Sequence, residues 1–113
     1  MENCIFCKII AGAIPSNKVY EDDDMLAFKD INPQAKVHVL VVPKSHFATL
    51  AEMNADQAEL VKKCFIKIPE IARSLGLSNG YRLIVNQGED AGQTVHHLHI
   101  HILGGQPMGE KML

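Results

Sequence analysis

The fold turns on VHVLVVP, residues 37–43. Apart from His38 and the closing proline, every residue in it is a branched aliphatic. Such side chains favour a pleated, buried surface, and proline, with no N–H to offer a ladder, ends a strand. The stretch therefore reads as a central strand that stops at Pro43. On its N-terminal side, KVYED (18–22) and MLAFKD (25–30) read as two further strands joined by the acidic turn Asp22–Asp24. Farther out, IFCKII (5–10) has helical spacing, with Gly12 and Pro15 beyond it, and predicts a short first helix. On the C-terminal side the pattern turns helical at Asn54, a candidate N-cap. Leu60, Cys64, Ile68, Ile71, Ala72 and Leu75 form an i, i+3/i+4 stripe. Pro69 lies inside that run and is expected to kink or break it. YRLIVN (81–86) and LHIHIL (98–103) supply the last strands. Strands joined by short turns, with one long helix between them, predict an α+β fold whose sheet is mainly antiparallel and covered on one face by the long helix.

With 113 residues and 12.5 kDa, the chain is long enough for one core, and residues 1–113 are expected to form a single domain. Apolar residues make up 47% and charged residues 21%, the balance of an ordinary globular protein. The net charge is −2, the only arginines are Arg73 and Arg82, and no Lys/Arg run exceeds two residues. That leaves no basic footprint for nucleic acid. No apolar stretch is long enough to span a bilayer, and MENCIFCKIIAG lacks the basic and apolar regions of a secretory signal, so a cytoplasmic protein is expected. Three cysteines in such a chain read as thiols or metal ligands rather than disulfides.

Chemistry concentrates in TVHHLHIHILGG, residues 94–105. On a strand His97, His99 and His101 share one face, about 6.5 Å apart, while Leu98, Ile100 and Ile102 take the other. His96 points away and has no partner in the pattern. Three readings compete for the run: a half-solvated strand, a metal site, or a central catalytic imidazole with helpers. Three same-face positions lie nearly in line and do not all converge on one ion, although one or two could. A mostly neutral imidazole is a good nucleophile and leaving group near pH 7. Attack on phosphorus, giving a phospho-imidazole that water opens, suits this arrangement best.

The run His97-x-His99-x-His101, apolar at every x, resembles the signature of the histidine triad family of nucleotide hydrolases and transferases. The likeness extends through IFCKIIAGAIP, VYEDDDMLAFKDINPQAKVHVLVVPKSH and VNQGEDAGQTVHHLHIHILGG, and is strongest to the Hint branch, the purine nucleoside phosphoramidases. The resemblance implies an α+β fold with a five-stranded antiparallel sheet, paired into a two-fold homodimer. It implies that His99 is the nucleophile toward the α-phosphorus of a purine nucleoside 5′-phosphoramidate, that His101 hydrogen-bonds the phosphate, and that His97 and His38 support them. Gln93 and Thr94 fall where the family contacts phosphate and leaving group, and Asn86 and Gly92 bracket the loop closing over the phosphate. Phe28, Asp30 and Ile31 match its base clamp and ribose acid. Phe6, Phe28, Ile31 and Leu40 offer the flat apolar contacts that a purine needs, and one ionised Asp can accept both hydroxyls of a ribose diol.

Cys4 and Cys7 have C-x2-C spacing, which by itself is half a zinc site or a pair of packing residues. His46 and His97 are the candidates for the other two ligands. Some bacterial members of the family carry such a site, and a structural Zn²⁺ is expected here. Cys64, on the apolar stripe, reads as a small buried hydrophobe. The chain has no Trp, and its tail, GGQPMGEKML, differs from the C-termini that members of the branch place near the leaving group. The leading function is a phosphoramidase passing through a nucleotidyl-His99 intermediate. The alternatives are a dinucleoside polyphosphate hydrolase or nucleotidyl transferase of the same superfamily, and a non-catalytic zinc-stabilised nucleotide-binding module.

Overall fold

A computed structural model describes residues 3–110. The elements run α1 (Ile5–Ile10), β1 (Lys18–Glu21), β2 (Met25–Lys29), β3 (Val37–Pro43), a 3-10 turn (Leu50–Glu52), α2 (Ala55–Ser74), β4 (Tyr81–Ile84), a second 3-10 turn (Glu89–Ala91) and β5 (Ile100–Gly104). The five strands form one sheet in the order β1-β2-β3-β5-β4, with every neighbouring pair antiparallel. β3 is its middle strand, and the α+β architecture is the one predicted.

Two faces of β3 explain its near-continuous apolar sequence. Val39 and Val41 join Met25, Ala27, Ile100 and Ile102 beneath Cys64, Ile68, Ile71 and Ala72 of α2. Leu40 and Val42 join Leu26 and Phe28 against Phe6 and Ile9 of α1. The long helix thus seals one face, while the short helix covers part of the other and leaves room beside it for polar chemistry.

α2 starts where expected. The Asn54 side chain accepts from the Gln57 N–H at 2.8 Å, and the Gln57 side chain accepts from the Asn54 N–H at 3.0 Å, which closes a capping box. At its far end, Gly76 adopts a φ of 79°, while its N–H reaches the Arg73 carbonyl and that of Leu77 reaches Ala72. This is a Schellman closure, and glycine fits it without a Cβ penalty. Two expectations for this helix are corrected. Val61, not Leu60, takes the first buried position. Of the kink or break expected at Pro69, the break does not occur: the helix continues to Ser74, with Ile68, Ile71 and Ala72 held in the core on either side of the proline.

The last strand is also shorter than LHIHIL. Pairing with β3 begins at Val41–Ile100. Two residue pairs earlier the backbone groups have gone elsewhere: the Leu98 N–H donates to the Phe47 carbonyl at 2.8 Å, and the Pro43 carbonyl accepts from the His97 ring. His97 and His99 therefore precede the strand, and only His101 lies on it. Among the described residues, no helix is long and apolar enough to cross a membrane.

Candidate functional site

Five imidazoles converge on the face that α1 covers only in part. β3 presents His38, β5 presents His101, the segment entering β5 presents His97 and His99, and the turn after β3 brings His46. Their hydrogen bonds fix which ring nitrogen carries the proton.

His99 is buried and its Nδ1–H donates to the His97 carbonyl at 2.7 Å, so its lone pair lies on Nε2. His38 accepts the Gln34 backbone N–H at Nδ1, 3.0 Å away, so its own proton sits on Nε2. That proton points to His101 Nδ1 at 2.9 Å, with the Asp30 carboxylate 3.4 Å from the same nitrogen. His101, accepting at Nδ1, must then carry its proton on Nε2. This Nε2 is buried and has no partner among the described residues, so it is a donor awaiting an acceptor. Burial, aided by the nearby His99 and His38, pushes His101 down to about 4, and burial also holds His99 and His38 below the ordinary imidazole value. Near neutral pH the trio is uncharged: one nucleophilic nitrogen, one unpaired donor and one ring that locks the tautomer.

Asp30, His38 and His101 also lie close enough together to suggest a metal site. The hydrogen-bond pattern argues against one. With Nδ1 accepting from Gln34, a metal at His38 Nε2 would require an imidazolate.

In the second cluster His97 has the tautomer opposite to that of His99. His97 is fully buried and its Nε2–H donates to the Pro43 carbonyl at 2.9 Å, which turns the Nδ1 lone pair toward Cys4 Sγ and Cys7 Sγ, each 3.5 Å away. His46 Nδ1 is 3.3 Å from Cys7 Sγ, and all four donor atoms lie within 4.8 Å of one another. A tetrahedral centre with ordinary zinc–sulfur and zinc–nitrogen bonds spaces S and N about 3.5 Å apart. The Cys4, Cys7, His46 and His97 set therefore could hold a metal ion. Without a cation, burial and the neighbouring Cys4 push the Cys7 thiol up to about 11. The Pro43 carbonyl provides the outer support that usually orients a ligating histidine. His97 thus faces the cysteines with its ring and touches His99 only through its carbonyl.

A cleft of about 550 Å³ brings Phe6, Phe28, Asp30, Ile31, Leu40 and Thr94 together. Phe6 stands edge-on to Phe28 at 5.5 Å and to His99 at 5.1 Å, so one ring walls the cleft and abuts the His99 imidazole. Ile31 is 89% exposed and forms the rim. One Asp30 oxygen accepts the Asn32 N–H at 2.8 Å and the other faces His38, a link to the histidines that the sequence reading missed. Asn86, Gly92 and Gln93 do not line this cleft. Gln93 is buried and its amide is fully occupied. Its Nε2 donates to the Ala48 and Val95 carbonyls, and its Oε1 accepts from the Gly88 N–H. It clasps the loop that Asn86 and Gly92 belong to. His96 is exposed. A second cleft, about 560 Å³, lies between residues 76–82 and 104–108, away from all of these groups.

Residues 11–108 match the family described as HIT domain. The chain belongs to the HIT family. It is 51% identical over 104 residues to Protein HitA of Neisseria gonorrhoeae, covering 92% of this chain and 97% of that protein. Among solved structures, a HIT family hydrolase from Clostridium thermocellum shares 50% identity and superimposes with a TM-score of 0.95, over 100% of this chain and 99% of the other. A histidine triad nucleotide-binding protein from Candida albicans shares 33% identity at a TM-score of 0.81, over 97% and 86%. The HIT match begins after Cys4 and Cys7, so the cysteines rest on this chain's own geometry.

Proposed function

We propose that this HIT-family protein is a hydrolase of the Hint branch, opening the P–N bond of purine nucleoside 5′-phosphoramidates through a nucleotidyl-His99 intermediate. The observation that carries the reading is a pair of tautomers behind the cleft wall Phe6: a lone pair on His99 Nε2 and, on the His101 ring 5.0 Å away, an unpartnered Nε2–H. His99 Nε2 attacks the α-phosphorus and forms an N–P bond as the bond to the amine breaks. The amine leaves with that electron pair and takes a proton from solvent. Water then attacks phosphorus, breaks the bond to His99, and releases the nucleoside monophosphate and a proton. His101 Nε2–H donates to a phosphate oxygen in both steps, where charge develops. The His97 carbonyl holds the Nδ1–H of His99 as the ring becomes cationic. The cleft between Phe6, Phe28, Leu40 and Ile31 receives the base, and Asp30 accepts from the ribose hydroxyls.

Cys4, Cys7, His46 and His97 would hold a zinc ion, which when bound supplies a structural cross-link between α1 and the strand ends. The chain acts as one domain, in the cytoplasm, and as a homodimer; exposed Phe65 and Ile66 on α2 and Leu83 on the edge strand β4 support a self-association face. Purified protein assayed with adenosine 5′-phosphoramidate and diadenosine tetraphosphate tests the reaction. Preferred turnover of the first, with a nucleotidyl mass on the peptide bearing His99 after acid-free quenching, is expected. AMP binding without turnover of either would leave a binding module.

A further inference from the structure

The sulfurs of the second cluster are not sealed. A cleft of about 320 Å³ opens over Cys4 and His46, and both Cys4 and Cys7 are only half-buried, whereas Cys64 lies in the core. Between the two cysteines in sequence sits Phe6, the ring packed against Phe28 and edge-on to His99. The two accessible sulfurs and the wall of the cleft thus share the first turn of a six-residue helix, with Cys4 as its N-cap.

We propose that Cys4 and Cys7 are a peroxide-sensitive dithiol, whose oxidation to a disulfide ejects the metal and disorders the nucleotide cleft. The proposal rests on the zinc reading of Cys4, Cys7, His46 and His97. A metal-held thiolate, unlike a buried thiol, is a nucleophile near neutral pH. Cys4 Sγ, in reach of the open cleft, attacks the outer oxygen of a hydroperoxide. The O–O bond breaks, sulfur gives up two electrons, and the departing oxygen leaves as water or an alcohol after taking a proton. Cys7 Sγ then attacks the resulting sulfenic sulfur. An S–S bond forms, the S–O bond breaks, and the hydroxyl leaves as water with a second proton from solvent. The sulfurs belong to a donor set whose atoms all lie within 4.8 Å, so side-chain rotation can bring them to disulfide distance. A disulfide has no thiolate to offer, and the ion departs from the two remaining imidazoles.

The consequence follows from how little else holds α1. Its buried contacts are Phe6 and Ile9, set against Leu26, Phe28, Leu40 and Val42, while the metal cluster ties it to His46 and His97 on separate loops. Losing the second attachment loosens the first, and with it the ring that walls the base pocket. Cys64 has no part in this, because burial pushes it up to about 12 and keeps it a thiol.

The test treats the zinc-loaded protein and its Cys64→Ala variant with hydrogen peroxide, then follows zinc release with a coloured chelator, thiol linkage by peptide mass, and AMP affinity by calorimetry. The expected result is one zinc released for each Cys4–Cys7 disulfide formed, about a tenfold rise in the Kd for AMP, and recovery with dithiothreitol plus zinc, alike in both proteins. Zinc retained under peroxide, or zinc released with AMP affinity unchanged, overturns the proposal while leaving the zinc reading intact. A response lost in Cys64→Ala assigns the oxidised thiol elsewhere and also overturns it. Protein that carries no zinc when purified overturns both.

Discussion

His97 and His99 stand two residues apart on one run of chain, and the structure gives them opposite chemistry. Both are buried and both donate a proton to a backbone carbonyl, but through different nitrogens. His97 gives its Nε2–H to Pro43 and so offers Nδ1 to the cysteines. His99 gives its Nδ1–H to the His97 carbonyl and so keeps its lone pair on Nε2, on a ring that abuts the cleft wall Phe6. Imidazole is not committed to either role by its identity or by its place in a motif. The carbonyl that occupies one nitrogen decides what the other can do.

The sharpest way to break this comparison is at His99. His99→Ala should lower turnover of a nucleoside phosphoramidate by at least about 10⁴-fold, roughly 5.5 kcal/mol in barrier, while zinc content and AMP affinity stay close to wild type. A rate within tenfold of wild type would mean that another group attacks phosphorus.

His101→Ala removes the unpartnered donor and leaves the nucleophile. Its expected cost is about 10²–10³-fold in kcat, the usual loss for one hydrogen bond to developing charge. An equal loss in KM alone, with kcat unchanged, would make His101 a binding group rather than one that acts in the transition state.

On the metal side of the comparison the effect should move from rate to stability. Cys4→Ser/Cys7→Ser should lose the zinc and lower Tm by about 10 °C, with kcat of the folded protein changed less than about threefold. A Tm equal to that of the parent would show the two cysteines to be packing residues.

The smallest expected effect concerns acid. His101, held at about 4 by burial in the fold, refuses a proton that the unfolded chain accepts near 6.5. Its contribution to stability is therefore complete above pH 6.5 and is lost as pH falls toward 4, because the unfolded state binds more protons across that window. Thermal melts between pH 7 and 4 should show this decline, and His101→Gln should shallow it. An unchanged slope would place the titrating group elsewhere.

Much of this was legible from local pattern. The unbroken apolar run of β3, the Asn54 cap and the alternation around His101 each depend on neighbours a few residues away, and each was readable. The misses are non-local. Leu98 gives its N–H to Phe47 rather than to a sheet partner, so the last strand starts late. The Gln93 amide goes to the Ala48 carbonyl, 45 residues away, a partner that residue spacing does not reveal. The bond from Gln34 that fixes the His38 tautomer, and the approach of Asp30, depend on how one turn folds back over β3, and residue spacing does not encode that.

The cluster of Cys4, Cys7, His46 and His97 also orders events in time. Its donors are separated by 39 residues between Cys7 and His46, and by 90 and 93 between the cysteines and His97. Cys4 and Cys7 are synthesised before His46 and His97, so the attachment of α1 to these histidines waits for residues made much later. Pairing of β3 with β5 carries the same delay, because β5 closes the sheet from the far end of the sequence. Phe6, which walls the cleft, is thus made about 90 residues before the partners that complete its surroundings.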